Sequence, residues 1–489
     1  MQILKIFLVL GILVCSLYGQ SQIKFFNTYT NNGHDFGEGI TQLSDSSYII
    51  TGSSSSFDEA PAQAFLLHVD SMGQYLWSRA YGGSESDWGR RVFAVEGDGI
   101  YVAGYTNSMG NGSFDFYFFK TDMTGNLLFE KTYGGQRFEK LNSAVMLKDT
   151  SFILVGQTTS NTAEVEDMYI IRVKSNGDTL WTKRIGGSGA DIARSVAVMN
   201  DTTVVIAGDY FVEDSLLTKS VLIRMHIDGT VQWEKFYGEN GTYSVNDVTI
   251  NNGIIRAVGY HKIAQLPGQS FLFCLLTYED GSLIFELIDS SPGSSKLDYI
   301  TAYGTEGKFY VADQVAAADL SLYPDGEDCF IYRYSSYLFW DDAFVSPSNI
   351  GQDQANQLIA TSDGGAIMVG YNSRLGAGGN NVMLLKIGPN DDFPESNSLP
   401  IENNLVFIEE LKADFPLAAF PNPVKDILKL ESTIPGSKQI QVVDAFGKVL
   451  QESVFDLSTE IDFQAYSSGM YFIKVQAGGK QHTSRIVKY

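Results

Sequence analysis

The stretch from Trp77 to Gly83 reads WSRAYGG, and it returns without gaps as FEKTYGG from Phe129 to Gly135, WTKRIGG from Trp181 to Gly187 and WEKFYG from Trp233 to Gly238. The anchors Trp77, Phe129, Trp181 and Trp233 are 52 residues apart at each step; the same step reaches Phe25 and Phe285, and a 55-residue step reaches Trp340. Two further series keep the period. One ends a strand-like run at Gly52, Gly104, Gly156, Gly208, Gly259 and Gly370, with Asp313 in the sixth place; the other is the turn glycine at Gly73, Gly125, Gly177, Gly229 and Gly281. A fixed period of this length marks units that cannot bury their apolar faces alone and must stack on their neighbours. Seven copies are present.

Within the fourth copy four short runs, Ile192 to Met199, Thr203 to Gly208, Val221 to Ile227 and Val231 to Tyr237, are separated by Asn-Asp, Gly-Asp and Asp-Gly turn signals. Helical periodicity is absent, so each copy predicts a four-stranded antiparallel sheet. Seven such sheets set radially form an all-β, seven-bladed β-propeller over residues 21–388. The last copy ends at Asn381 to Ile387 with no aromatic strand after it, whereas Ile23 to Tyr29 supplies a spare one near the N-terminus. That strand is expected to complete the last blade, which makes the aromatic strand outermost and the strand after each Gly-Gly innermost. A WD dipeptide at a period of about 40 to 45 residues is missing, and the order Trp, Tyr, Gly-Gly differs from that of kelch repeats. The tract resembles the long-period propellers of secreted Bacteroidota proteins.

Composition agrees with folded material: 489 residues, 44% hydrophobic, 19% charged, 48 Gly and 12 Pro. The 26 Tyr, 31 Phe and 5 Trp favour strands. With 34 basic and 57 acidic side chains, a balance of -23, the chain repels polyphosphates and anionic lipid, and nucleic acid is not an expected partner. Lys5 precedes an uncharged apolar run from Ile6 to Tyr18 and small or polar residues at Gly19, Gln20 and Ser21. Such a run is too short to span a bilayer and suits a secretory signal peptide at residues 1–20. A lipoprotein signal needs a small residue before Cys15, where Val14 stands. No later stretch reads as a transmembrane segment. Cys274 and Cys329 lie in apolar strand-like runs and are expected as buried thiols rather than a disulfide framework.

From residue 389 to 414 the period stops, proline enters at 389, 394 and 400, and seven acidic residues face Lys412 alone; this reads as an acidic linker. Residues 415–489 show short alternating strands and a Gly478-Gly479 hairpin, which predict a small Ig-like antiparallel β-sandwich. They carry Phe420-Pro421-Asn422-Pro423, an Asp444-x-x-Gly447-Lys448 turn, Gly469-Met470-Tyr471 at a strand start, and a basic last strand ending in Lys488. With these four features in this order, the segment resembles the type A C-terminal sorting domain of the type IX secretion system. The resemblance implies export across the inner membrane, outer-membrane translocation by the type IX secretion machinery, and removal of the tail by a sortase-like peptidase. The cargo would then be secreted or attached to the cell surface.

Candidate functional residues are fewer. His34, His68, His226, His261 and His482 fall in separate copies or domains without metal-type spacing. Zinc-protease, nucleophile-elbow, phosphate-loop and EF-hand motifs are missing, so no catalytic residue and no cofactor is assigned. The repeated aromatic anchors read as packing between blades rather than as sugar platforms. A carboxylate recurs just before the innermost strand, at Asp35, Asp87, Glu139, Asp191, Asp298 and Asp353; the fifth copy offers Asn246 and Asp247 out of step. Seven-fold geometry places these groups around one mouth of the channel. They serve either as caps on backbone amides or as a ring for a cation or polar ligand, with calcium the ion that all-oxygen ligands favour. Three residues on stand Glu38, Arg90, Asn142, Arg194, Thr301 and Asn356, so arginine is expected to pair with two of the carboxylates. The leading functional expectation is a non-catalytic propeller that binds an unknown glycan or protein. The alternative is a secreted polysaccharide hydrolase or lyase that uses the channel-mouth carboxylates as acid and base.

Overall fold

A computed structural model describes residues 25–388 except 31–32, 58–60, 161–164, 214–216, 239–240, 263–269, 290–293, 303–308, 317–326, 335–339, 346–352 and 374–378. It also describes 406–407 and, within 417–488, all but 421–423, 433–435, 445–447, 468 and 478–479. Residues 1–20, read from sequence as a signal peptide, and Pro421, Asn422, Pro423 and Gly447 lie outside the described residues.

Every described strand of residues 25–388 belongs to one of seven sheets; six are antiparallel with their four strands in chain order, and the seventh takes in the N-terminal strand. The first sheet is Asp35–Gln42, Tyr48–Ser54, Gln63–Val69 and Tyr75–Tyr81. The second is Asp87–Val95, Gly99–Thr106, Asp115–Thr121 and Leu127–Tyr133. First strands of neighbouring sheets lie beside each other all round the ring, the seventh against the first, so they line the axis. The second strands are largely apolar in their first half, and Phe152–Thr158 is buried at every position, because a neighbouring blade covers each face of the sheet. Outer strands such as Thr179–Ile185 alternate between exposed and half-buried positions.

The seventh blade closes the ring. Its three C-terminal strands are Asp353–Ala360, Ala366–Asn372 and Asn381–Ile387, and the N-terminal strand Phe25–Thr30 pairs antiparallel with the last of these, Phe25 opposite Lys386 and Tyr29 opposite Val382. Phe25 and Tyr29 join Val382 and Leu384 of this blade and Ile40, Ile50 and Phe65 of the first in one apolar cluster. The linker departs from its sequence reading here. Val406–Phe407 runs parallel to the N-terminal strand as a fifth strand, with Val406 opposite Tyr29, because an outer strand leaves one edge of backbone groups open for pairing.

A second latch repeats around the ring. The tyrosine near the end of the outer strand donates its hydroxyl to the carbonyl of the next blade's turn glycine: Tyr29 to Gly73 at 2.6 Å, Tyr81 to Gly125 at 2.7 Å, Tyr133 to Gly177 at 2.6 Å and Tyr237 to Gly281 at 2.7 Å. Gly125 has a φ of +82°, and a Cβ there would come within 2.9 Å of the Trp77 ring, so turn geometry and the aromatic anchor both require glycine. Trp181 and Trp233 also donate their indole N–H groups across the seam, to the carbonyls of Ile227 and Glu279. Phe25, Trp77, Phe129, Trp181 and Trp233 therefore pack between blades, as their repetition implied. Phe285 is the more open one, at 43% exposure.

Residues 409–489 form a second compact unit. One of its sheets orders Leu417–Phe420, Ile427–Ser432 and Ser458–Asp462; the other orders Val449–Phe455, Lys438–Asp444, Gly469–Ala477 and Lys480–Lys488. Leu428, Leu430 and Ile461 from the first sheet meet Ile440, Val442, Ile473 and Ile486 from the second, as in a β-sandwich. Cys274 and Cys329 are both buried thiols in the propeller. No helix among the described residues is long and apolar enough to cross a membrane.

Candidate ligand-binding face

Strand direction gives the ring two different faces. At one end the hairpins between first and second strands are tight, as at Leu43–Ser47 and Leu147–Ser151, and aspartates brace them: Asp45 and Asp149 accept from the Ser47 and Ser151 amides and hydroxyls. At the other end lie the longer connections 55–62, 107–114 and 159–166, together with the Gly-Gly segments. Long connections on a rigid scaffold are where binding groups are usually carried.

The recurring carboxylates sit at this second end, and five of them are fully buried: Asp35, Asp87, Glu139, Asp191 and Asp353. Each opens an innermost strand or, for Asp191, immediately precedes one, and its carboxyl is held by nearby hydroxyls and amides. Asp87 accepts from the Thr106 hydroxyl, from Ser108 Oγ at 2.8 Å and from the Gly83 amide at 2.9 Å. Asp35 accepts from the Ser54 hydroxyl and from Ser56 Oγ at 2.9 Å. Glu139 takes Thr158 Oγ1 at 2.5 Å and the Gly135 amide at 2.8 Å. Asp191 takes the Gly187 and Phe211 amides at 2.6 and 2.7 Å, and Asp353 takes the Asn372 side-chain amide. The backbone N–H of the same residue crosses to the preceding blade, from Asp87 to the Ala62 carbonyl at 3.0 Å, from Glu139 to Phe114 at 2.8 Å and from Asp191 to Glu166 at 2.7 Å. The geometry is that of a cap tying blade to blade, with the carboxyl withdrawn from the channel mouth. Among the described residues no three His, Cys, Asp or Glu side chains are grouped to hold a metal ion.

This packing accounts for the Gly-Gly signature. A Cβ at Gly134 would overlap Asp115 Oδ1 and reach 2.5 Å from Glu139 Oε2; one at Gly186 would overlap Asp167 and reach 3.0 Å from Asp191. Two acidic groups from adjacent blades thus converge over each glycine. Burial raises the carboxyls of Asp87, Asp115, Asp167 and Asp191 above the ordinary 3.8; Glu139 adds to the rise at Asp115, and Asp167 to that at Asp191. A raised folded value means that the fold prefers the protonated acid. This contribution is fully present below 3.8 and is lost as pH rises through the raised values. Asp122 behaves oppositely. Burial is outweighed there by hydrogen bonds from Asn126 and Thr124, which lower it to about 2, so its contribution fades only as pH falls from 3.8 towards that value. His68, which burial holds below its ordinary 6.5, contributes with the opposite sign, so the acids' share is read from how a variant changes the pH dependence of thermal unfolding. Asp115→Asn keeps an acceptor for the Asn111 and Gly112 amides and offers Glu139 a donor. It should stabilise the neutral-pH form by about 1 kcal/mol and flatten the pH dependence. An unchanged slope in this variant would contradict the paired-acid account.

Register corrects two assignments. The innermost strands share a β-bulge, between Gly37 and Gly39, Gly89 and Arg91, Leu141 and Ser143, Ala193 and Ser195, Val245 and Asp247, Leu297 and Tyr299, and Ala355 and Gln357. Asp298 occupies the bulge itself, so it corresponds to Glu38 and Arg90 rather than to Asp35 and Asp87, and Ser295 holds the cap position opposite Val315. In the fifth blade the cap position is Tyr243, stacked on His261 at 4.1 Å, and Asn246 is the bulge residue. The two arginines pair elsewhere than expected, Arg90 with Glu38 and Arg194 with Asp209 at 2.6 Å.

The bulge residues lace the innermost strands together. Asn142 donates to the Ala193 carbonyl at 2.9 Å and Asn356 to that of Gly37 at 2.8 Å, while Glu38 and Arg90 bridge the first and second blades. Above this belt lies a half-buried aromatic group that was not singled out from sequence. Trp88 stacks on Tyr105 at 4.9 Å and 20°, Phe114 lies 5.7 Å from both, and Phe138 lies 5.7 Å from Phe114. Lys140 Nζ stands 5.7 Å from the centre of the Tyr105 ring. A signal existed: Trp88 and Lys140 each follow a recurring carboxylate, and Tyr105 follows a strand glycine.

Residues 418–489 match the secretion system C-terminal sorting domain. The C-terminal unit is a type IX sorting domain. In it Tyr471 donates to the Ser467 carbonyl at 2.7 Å and stacks on Tyr466, Asp444 lies opposite Tyr471, and Gly469 lies opposite Lys488. Lys448 is exposed. The chain is therefore a secreted or surface-exported protein. No curated protein matches it in sequence. Solved structures similar to it include the Pan2 WD40 domain of Neurospora crassa, at 10% identity, covering 72% of this chain and 90% of that one, TM-score 0.44. Others are the polysaccharide lyase Uly1, at 11%, covering 76% and 94%, TM-score 0.44, and the α-L-arabinofuranosidase Arb93A of Fusarium graminearum, at 10%, covering 76% and 98%, TM-score 0.42.

Proposed function

We propose that the chain is an exported, non-catalytic binding protein whose propeller presents its long-connection face to a polymer or protein at the cell surface or outside the cell. The sorting domain delivers it through the type IX machinery and is removed by a sortase-like peptidase. The observation that carries this reading is the division of labour on that face. Asp35, Asp87, Glu139, Asp191 and Asp353 are buried and committed to capping, while the half-buried groups of that face include an aromatic cluster with a cation beside it: Trp88, Tyr105, Phe114, Phe138 and Lys140. Aromatic surface with a few placed polar groups suits recognition, whereas acid and base catalysis needs two carboxyls within reach of the substrate. The test is a glycan panel incubated with the purified chain, read for both retention and new reducing ends. Retention without turnover is expected. Reducing ends that vanish in Asp87→Asn or Asp191→Asn would transfer the chain to the hydrolase or lyase class.

A further inference from the structure

Each seam between blades serves as a control for its neighbours, because the repeat places equivalent residues at all of them. At the long-connection end of the seam between the second and third blades, Trp88 lies opposite Tyr105 on adjacent strands, and Phe114 bridges to Phe138 across the seam. One step of 52 residues back, the same four places hold Phe36, Ser53, Ala62 and Ser86; one step on, they hold Lys140, Gln157, Glu166 and Ala190. The backbone is alike at all three. Phe36 lies opposite Ser53 and Lys140 opposite Gln157, and the amides of Asp87, Glu139 and Asp191 donate to the carbonyls of Ala62, Phe114 and Glu166. Neighbouring seams therefore close with small or polar side chains where this one carries four half-buried aromatic rings. Closing the ring does not require them.

Their arrangement narrows what they receive. Tyr105 is enclosed, with Trp88 stacked on it at 4.9 Å and Lys140 Nζ over the ring at 5.7 Å. Phe114 meets Tyr105 at 75° and Phe138 at 81°. A pyranose stacks on an open, flat ring, whereas a herringbone of ring edges takes an aliphatic or aromatic side chain, as the centre of a protein interface does. Rings already packed against each other also lose little freedom on binding. Charge narrows the partner further. A surplus of 23 negative charges draws a basic polypeptide and repels an acidic one. Lys140 keeps basic side chains away from the rings themselves, and acids stand to either side, exposed Glu85 on the loop before Ser86 and Glu166 at the next seam. Resting on the reading of the long-connection face as the binding face, we propose that the seam between the second and third blades docks a basic polypeptide segment, with one apolar side chain seated against Phe114 and Phe138.

The probe is a phage-displayed library of random peptides, each about twelve residues long, panned on the full chain; enriched peptides are synthesised and titrated. The comparison is the full chain carrying Tyr105→Ser, Phe114→Ala and Phe138→Ser together, which gives this seam the side chains of the preceding one. Enriched sequences should pair Leu, Phe or Trp with nearby Lys or Arg, bind the triple variant at least about ten-fold more weakly, bind Lys148→Ala unchanged, and weaken as salt rises. The triple variant should unfold cooperatively within a few degrees of the parent. Loss of cooperative unfolding would mean that the rings serve the fold, and it overturns the proposal. So do peptides that bind the triple variant unchanged, and so does a library that yields no binder. Peptides that ignore the triple variant but are lost in Phe36→Ala leave the face standing and remove this seam; peptides lost in Lys148→Ala remove the face as well. Glycans that are retained by the parent and lost in the triple variant, with no peptide enriched, would give the seam to a polysaccharide instead.

Discussion

Deleting residues 21–30 is expected to replace cooperative unfolding of the propeller with an early, aggregation-prone transition. The N-terminal strand pairs with Asn381–Ile387, a strand buried at every position that would become an open edge once its partner is gone. The deletion also removes Phe25 and Tyr29 from the cluster shared by the seventh and first blades, the bonds from Asn27 and Tyr29 to the Gly73 carbonyl, and the partner of Val406–Phe407. Two buried aromatics lost at about 3 to 5 kcal/mol each are comparable with the whole stability of an ordinary domain, about 5 to 15 kcal/mol. The check is thermal unfolding beside a control shortened within residues 391–400. Equal melting temperatures would mean that the strand does not close the ring, and the blade count of seven would have to be withdrawn.

Deleting residues 415–489 should have the opposite character, with stability kept and destination lost. The sorting domain has its own apolar cluster, from Val424 to Ile486, and separates as a compact unit from the rest of the chain. The propeller should therefore unfold at its usual temperature but remain in the periplasm. Fractionation and surface proteolysis of the deletion strain decide the matter. Truncated protein at normal levels on the surface would overturn the sorting role.

The ring and its closure were legible because the 52-residue step recurs in residue types with strict steric duties: the aromatic anchor, the turn glycine it packs on, and the strand-ending glycine. The five capping carboxylates were legible for the same reason. Their direction was not, since spacing places a residue along the axis and leaves open whether its side chain faces the channel or the seam. Asp298 was misplaced because alignment followed the carboxylate, whereas the feature that fixes register is a backbone bulge filled by Glu38, Arg90, Asn142, Arg194, Asn246, Asp298 and Asn356. These residues share polarity but neither charge sign nor residue type, so a carboxylate at one of them passes for a member of the neighbouring series. Val406–Phe407 escaped notice for another reason: two apolar residues in an acidic stretch carry no periodicity, and their strand exists only because an outer edge was open. Lys140 was missed because it breaks the pattern of its own position, where Phe36 and Trp88 are aromatic.

The central claim is that an exported ring binds through its long-connection face. The most direct measurement is a glycan and protein array probed with the full chain, with Trp88→Ala on that face, and with Lys148→Ala on the opposite face, where Lys148 reaches the exposed Asp201. Hits lost in Trp88→Ala and kept in Lys148→Ala are the predicted result. Hits that disappear in Lys148→Ala and persist in Trp88→Ala would contradict it.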